Sequence, residues 1–188
     1  MTTETRQAVT TWGIDPAHSS AEFTVKHMMV TTVRGSMKIA DGAIRVDESD
    51  PGRSFVEARV DVASVDTGVA DRDAHLRSDD FFNAERFPYF TFRSTGVTPA
   101  TDGGWRLAGD LTVRDVTRPV VLDVEFEGRG IDAFGKDRAG FTATTRVNRR
   151  DFGVNWNGVI ETGGVVVSDT VKITLHIAAV RNEEASGA

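Results

Sequence analysis

Four stretches of this chain alternate apolar and polar residues with period two, and that pattern restricts the fold more than any other feature. In 55–67, Val56, Ala58, Val60 and Val62 share one face while Glu57, Arg59 and Asp61 share the other. Trp105, Leu107, Gly109, Leu111 and Val113 oppose Arg106, Asp110, Thr112 and Arg114. Val120, Leu122, Val124 and Phe126 oppose Asp123, Glu125 and Glu127, and Val171, Ile173, Leu175 and Ile177 oppose Lys172, Thr174 and His176. A strand with one dry and one wet face belongs to an antiparallel sheet, because the strands of parallel sheets are apolar throughout.

Turn chemistry divides the rest. Asp41-Gly42 predicts a two-residue hairpin that sets Ile39 opposite Ile44 and Met37 opposite Val46 on one dry face. Asp102-Gly103-Gly104 marks a second turn before Trp105. About eight to ten strands result, with helix signals only near 71–78 and 152–160. Asp71 and Asp73 would stand in the first turn of the former helix, where its dipole favours carboxylates. Strands of this kind close into a barrel or pack as two sheets, and periodicity does not choose between them. In a barrel of about eight strands the small inward residues Ala58, Gly109 and Ala143 would leave room in the lumen.

At 188 residues, with no internal repeat and no linker rich in Pro, Gly or Ser, the chain reads as one domain over 11–181. Segments 1–10 and 182–188 read as flexible ends. Residues 153–164 form the longest irregular stretch, a length often associated with function. A formal charge of −6 and no basic run argue against a nucleic-acid partner, and strings such as Arg149-Arg150 read as solvated surface. No cysteine is present, which excludes disulfides, thiolate metal sites and a cysteine nucleophile. The N-terminus has no apolar stretch of a secretory leader and no run long enough to span a bilayer, so the expected location is cytoplasmic.

The segment 71–92 joins charge to aromatics. Five of the eleven phenylalanines, Phe81, Phe82, Phe87, Phe90 and Phe92, fall between 81 and 92. Such a cluster either fills a core or lines an apolar cavity, and sequence alone ranks the core first. Arg72, Asp73 and His75, with Ser19 or Ser78, can be drawn as a triad, but no nucleophile elbow supports that. The simpler reading has Asp73 capping the helix while Arg72 and His75 tie it to neighbouring loops. His18, His27, His75 and His176 are the only histidines, none spaced as a metal pair, so no metal site and no cofactor is expected.

Several segments together resemble the YceI-like family of polyisoprenoid-binding proteins. They are Trp12-Gly13-Ile14-Asp15-Pro16-Ala17-His18-Ser19, Phe23-Thr24-Val25-Lys26-His27, the Asp66-Thr67 corner and Arg72-Asp73-Ala74-His75-Leu76-Arg77-Ser78. The match continues through Phe81-Phe82, Phe87-Pro88, Gly109-Asp110-Leu111-Thr112, Thr117-Arg118-Pro119-Val120, Arg150-Asp151-Phe152-Gly153 and Ser168-Asp169-Thr170-Val171-Lys172-Ile173. It departs at Arg114-Asp115, where the family often has glycine, and in lacking the leader that many members carry.

The resemblance implies an all-β fold: an extended, lipocalin-like antiparallel β-barrel of about eight strands with one short helical segment near 71–78. It turns the aromatic cluster from core into cavity wall. The implied ligand is an isoprenoid or other long-chain lipid, a quinone tail or polyprenyl chain, held by Phe23, Val25, Val60, Phe90, Phe92, Leu111, Leu122, Phe126 and Phe141. His18, Arg72, Asp73 and His75 then form a polar cluster that either touches a head group or braces the fold. The expected role is non-enzymatic binding, transport or storage. The alternatives are an enzyme acting on a lipid head group through Arg72, Asp73 and His75, or a packed scaffold with a protein partner. A homodimer is a further expectation, through a free strand edge.

Overall fold

The period-two segments become the staves of a closed barrel. The computed structural model describes residues 9–158 and 164–183. Its strands are β1 (Val9–Ile14), β2 (Ser20–His27), β3 (Thr31–Asp47), β4 (Phe55–Asp66), β5 (Tyr89–Pro99), β6 (Trp105–Val113), β7 (Val116–Ile131), β8 (Asp137–Asn148) and β9 (Val167–Arg181). One α-helix, α1 (Ala70–Arg77), lies between β4 and β5. All pairings are antiparallel, and the ladder runs β3-β2-β9-β8-β7-β6-β5-β4 before returning to β3. β1 covers residues 43–47 of β3 and β2 covers 31–38, so the two are one stave broken by the turn Pro16–His18. Nine strands therefore fill eight positions. The expected barrel and its one helix are both present.

Closure pairs each stave on both sides and so removes a fully free strand edge of the kind from which pairing of two barrels was argued; the β3–β4 register spans Ser36 to Arg45 of β3. β1 takes in Val9 and Thr10, two residues earlier than the expected boundary. Asn182 still donates its backbone N–H to Thr11 at 2.9 Å. Residues 1–8, 184–188 and 159–163 of the long 153–164 stretch lie outside the described residues.

Asp41-Gly42 does not turn the chain. β3 runs straight through it for 17 residues. The parity change that suggested a hairpin is real: Met37 and Ile39 face inward at odd positions, Ile44 and Val46 at even ones, and all four line the lumen. Its cause is a bulge, since Ile39 opposes Val60 while Asp41 opposes Arg59. Asp41 accepts from the Arg59 guanidinium on the outside. Gly42 is needed because a Cβ there would stand 2.5 Å from Ile14 Cδ1 and 2.7 Å from the Glu57 carbonyl oxygen. Asp102-Gly103-Gly104 does make the β5–β6 turn, with Gly104 N–H donating to Asp102 Oδ1. The second helix signal is not met: residues 153–158 form no helix, and a 3-10 turn, Arg149–Phe152, precedes them and ends at Gly153 in the left-handed conformation (φ 74°).

Inward side chains gather in three clusters along the barrel. One, around Trp12, Ile14, Ile39 and Ile44, lies behind β1. Leu107, Leu122 and Ala143 form the middle. Phe81, Val113, Phe152 and Val154 close the end that carries α1.

Candidate functional site

Eight staves with apolar inner faces enclose a cavity of about 650 Å³, within the usual range for a small-ligand site. The structure brings all nine expected wall residues to it: Phe23, Val25, Val60, Phe90, Phe92, Leu111, Leu122, Phe126 and Phe141. Ala58 and Ala143 provide space as expected. Gly109 does not; a Cβ there would meet the Phe92 ring at 2.4 Å, so its missing side chain makes room for that ring and not for a ligand.

The two ends of the cavity differ in chemistry. At the α1 end, Phe81, Phe152 and Val154 are buried, with Leu76, Phe82 and Trp156 packed against them. Phe81 and Trp156 rings lie 5.2 Å apart and Phe82 meets Phe90 edge-on at 5.2 Å. Arg149 reaches the cavity here, contrary to its reading as solvated surface. It is 6% exposed, with Nε donating to Ser168 O at 3.0 Å, Nη1 to Val154 O and Trp156 O at 2.8 Å, and Nη2 to Val167 O at 3.3 Å. Burial lowers its pKa while Asp169, at 3.6 Å, opposes that. Its donors are spent on carbonyls of the segment that covers this end, so it serves as a tie and leaves nothing for a head group. Nothing in the flanking sequence distinguishes Arg149 from Arg150, which pairs with Asp169 at the surface.

At the opposite end the cavity wall includes exposed residues, Glu48, Pro51, Phe126 and Arg129, so the lumen opens here. Phe126 is 55% exposed. Thr10, Asp47 and Ser54 add polar atoms at this end. Trp12 Nε1–H donates to Thr10 Oγ1 at 2.9 Å, and Arg129 lies over the Trp12 ring at 5.2 Å while pairing with Asp137. The rim is clamped by charge. Asp15 accepts from Arg138 at 2.7 Å and contacts His18 Nδ1 at 2.8 Å, and Arg138 also reaches Asp132. Arg138 first, and His18 second, draw the Asp15 pKa from its ordinary 3.8 down to about 2.

The expected polar cluster is not one cluster. His18 belongs to that rim clamp, and none of the four lines the cavity. Asp73 does not cap α1; its Oδ1 accepts from Thr67 N–H at 2.8 Å and Thr67 Oγ1 at 2.6 Å. Arg72 donates to Thr67 Oγ1 and Thr67 O. The pair thus fixes Thr67, whose methyl and the Phe23 ring crowd the space over Gly35. His75 Nε2 meets Asp80 at 2.8 Å and its ring stands edge-on to Phe81 and Trp156. Ser19 bonds to Ala178 and Ser78 to the His75 carbonyl, so neither hydroxyl addresses the His75 ring and no triad forms. Arg114, at the family's frequent glycine position, takes φ 57° and reaches back to Phe81 O and Asp79. Among the described residues no group of three His, Cys, Asp or Glu side chains is placed to hold a metal.

A model of the YceI-like domain matches residues 12–179. The chain belongs to that family. This YceI-like domain is 36% identical over 165 residues to a UPF0312 protein of Vibrio cholerae, the alignment spanning 88% of this chain and 83% of the relative. It is equally identical to a UPF0312 protein of Staphylococcus aureus, over 87% and 94%. In three dimensions the domain superposes on Burkholderia cenocepacia BcnA with a TM-score of 0.75 at 23% identity, covering 88% and 98% of the two chains. It superposes on a polyisoprenoid-binding domain of Saccharophagus degradans with a TM-score of 0.62 at 14% identity, covering 94% and 100%. At such identities the likeness is one of fold.

Proposed function

We propose that this YceI-like domain is a non-enzymatic carrier that draws the isoprenoid chain of a lipid into its lumen. The observation that carries the reading is the asymmetry of the cavity: mainly apolar along its length, packed with aromatic rings at the α1 end, where Arg149 is spent on backbone carbonyls, and lined by Thr10, Asp47, Glu48 and Arg129 at its mouth. A long apolar chain with one polar end has that distribution. Thr10, Asp47, Glu48 and Arg129 then face the head group, and the nine wall residues face the chain. The Saccharophagus neighbour, described as polyisoprenoid-binding, is in keeping with this ligand class.

Partition supplies the driving force. At about 0.8 kcal/mol per buried CH₂, a few isoprene units offset the 4–15 kcal/mol that association costs, with no polar contact required. No cofactor enters the reading, and shielding of the chain from water is the whole mechanism. Denaturing organic extraction of the purified protein followed by mass spectrometry tests it. A long-chain isoprenoid lipid near one per protein supports the carrier. An empty lumen after exposure to isoprenoid lipids overturns it, as does chemical change of the lipid on incubation.

A further inference from the structure

The outer face of β3, β2, β9 and β8 carries a charge pattern that the lumen does not explain. Register places Arg34 opposite Thr24, Thr24 opposite Lys172, and Lys172 opposite Arg146, in one row across four strands. All three cations are exposed, and among the described residues none has an ion-pair partner. Of the chain's four lysines, Lys26, Lys38 and Lys172 stand on this side. Like charges directly opposite one another, as Lys172 and Arg146 are, destabilise a sheet. Elsewhere the barrel avoids this: Glu57 faces Arg93, Arg106 faces Asp123 and Asp41 faces Arg59. The groove along the row holds about 530 Å³ and includes two acids, Glu22, which faces His176 at 3.7 Å, and Asp66.

The same strands end in an apolar tip. Met28, Met29 and Val30 join β2 to β3 and are 45%, 64% and 81% exposed. Met28 and Met29 both take left-handed backbone angles, φ 52° and 59°, where Asn-Gly would be the less strained choice. An exposed apolar tip beside unpaired cations, in a chain of net charge −6, has the chemistry of an interfacial anchor.

We propose that this face docks the domain on an anionic phospholipid bilayer, the Met28–Val30 turn entering the interface while Arg34, Arg146, Lys172 and Lys26 meet lipid phosphates. The inference goes beyond the lumen reading and needs no lumen ligand. The full chain is sedimented with vesicles of about seven parts phosphatidylcholine to three parts phosphatidylglycerol, and with phosphatidylcholine alone. Binding is expected only to the anionic vesicles and is expected to fall as salt rises towards ~0.5 M. The combined Arg34→Glu, Arg146→Glu and Lys172→Glu variant is expected to bind about a hundredfold more weakly, each charge contributing roughly fivefold. Met28→Asn with Met29→Gly suits the turn's backbone, keeps the fold and is expected to bind about tenfold more weakly. Lumen lipid, extracted from the same samples, is expected unchanged. Equal binding to neutral vesicles, or binding that survives charge reversal, overturns the proposal. So does capture of nucleic acid or an acidic polypeptide without vesicle binding.

Discussion

Both ends of the barrel pack apolar side chains, and they differ in where charge sits. The α1 end is held by apolar packing, with Phe81, Phe152 and Val154 buried and the Arg149 guanidinium spent on backbone carbonyls. The open end adds to the buried cluster of Trp12, Ile14, Ile39 and Ile44 a rim of exposed or half-buried charge, in the Asp15–Arg138–Asp132 and Arg129–Asp137 contacts. Packing excludes water and persists across pH, whereas ion pairs at a rim leave a mouth passable and respond to pH. One lumen thus combines an aromatic floor with a charged rim.

Substitutions at the floor are expected to be the most damaging. Phe152→Ala removes a buried ring from the plug and is expected to cost about 3–5 kcal/mol in chemical denaturation. Arg149→Ala leaves several carbonyls without their donor and is expected to cost about 3 kcal/mol, lowering Tm by roughly 6–12 °C. Loss below about 1 kcal/mol in both would mean that the floor is not sealed as described.

At the rim the effect is smaller and depends on pH. The Asp15 pKa is depressed in the folded protein, so the carboxylate stabilises the fold above its ordinary 3.8, and that contribution disappears as pH falls through about 2. Amides of β1 and of the β7–β8 hairpin are therefore expected to lose exchange protection between about pH 4 and pH 2, while those near Val113 and Phe152 keep theirs. Asp15→Asn is expected to flatten that dependence. Phe126→Ala, at an exposed position, is expected to change stability by less than about 0.5 kcal/mol yet to weaken lipid retention.

Sequence pattern reveals the wall far better than the ends. Period two assigns most wall residues of β4, β6, β7 and β9 to the lumen because the barrel imposes one inward face on each strand; it misses Arg129, which lies beyond the bulge after Phe126. It misreads Asp41-Gly42 because a bulge and a hairpin both switch parity, and local turn chemistry favours the hairpin. The polar groups are less legible still. His18 is separated from Arg72 in space by the path of the broken β1–β2 stave, and Arg149 is buried by a segment that returns over it only after folding. Such contacts depend on long-range closure, which no local spacing encodes.

The central claim is that the lumen takes an apolar chain up to a sealed floor. Affinity measured for isoprenoid alcohols of increasing length, on the wild type and on Leu111→Asp, tests it most directly. The account predicts affinity that climbs with each added unit, levels off once the chain meets the Phe81–Phe152 plug, and is abolished by Leu111→Asp. Affinity independent of chain length, or undiminished in the variant, would contradict it.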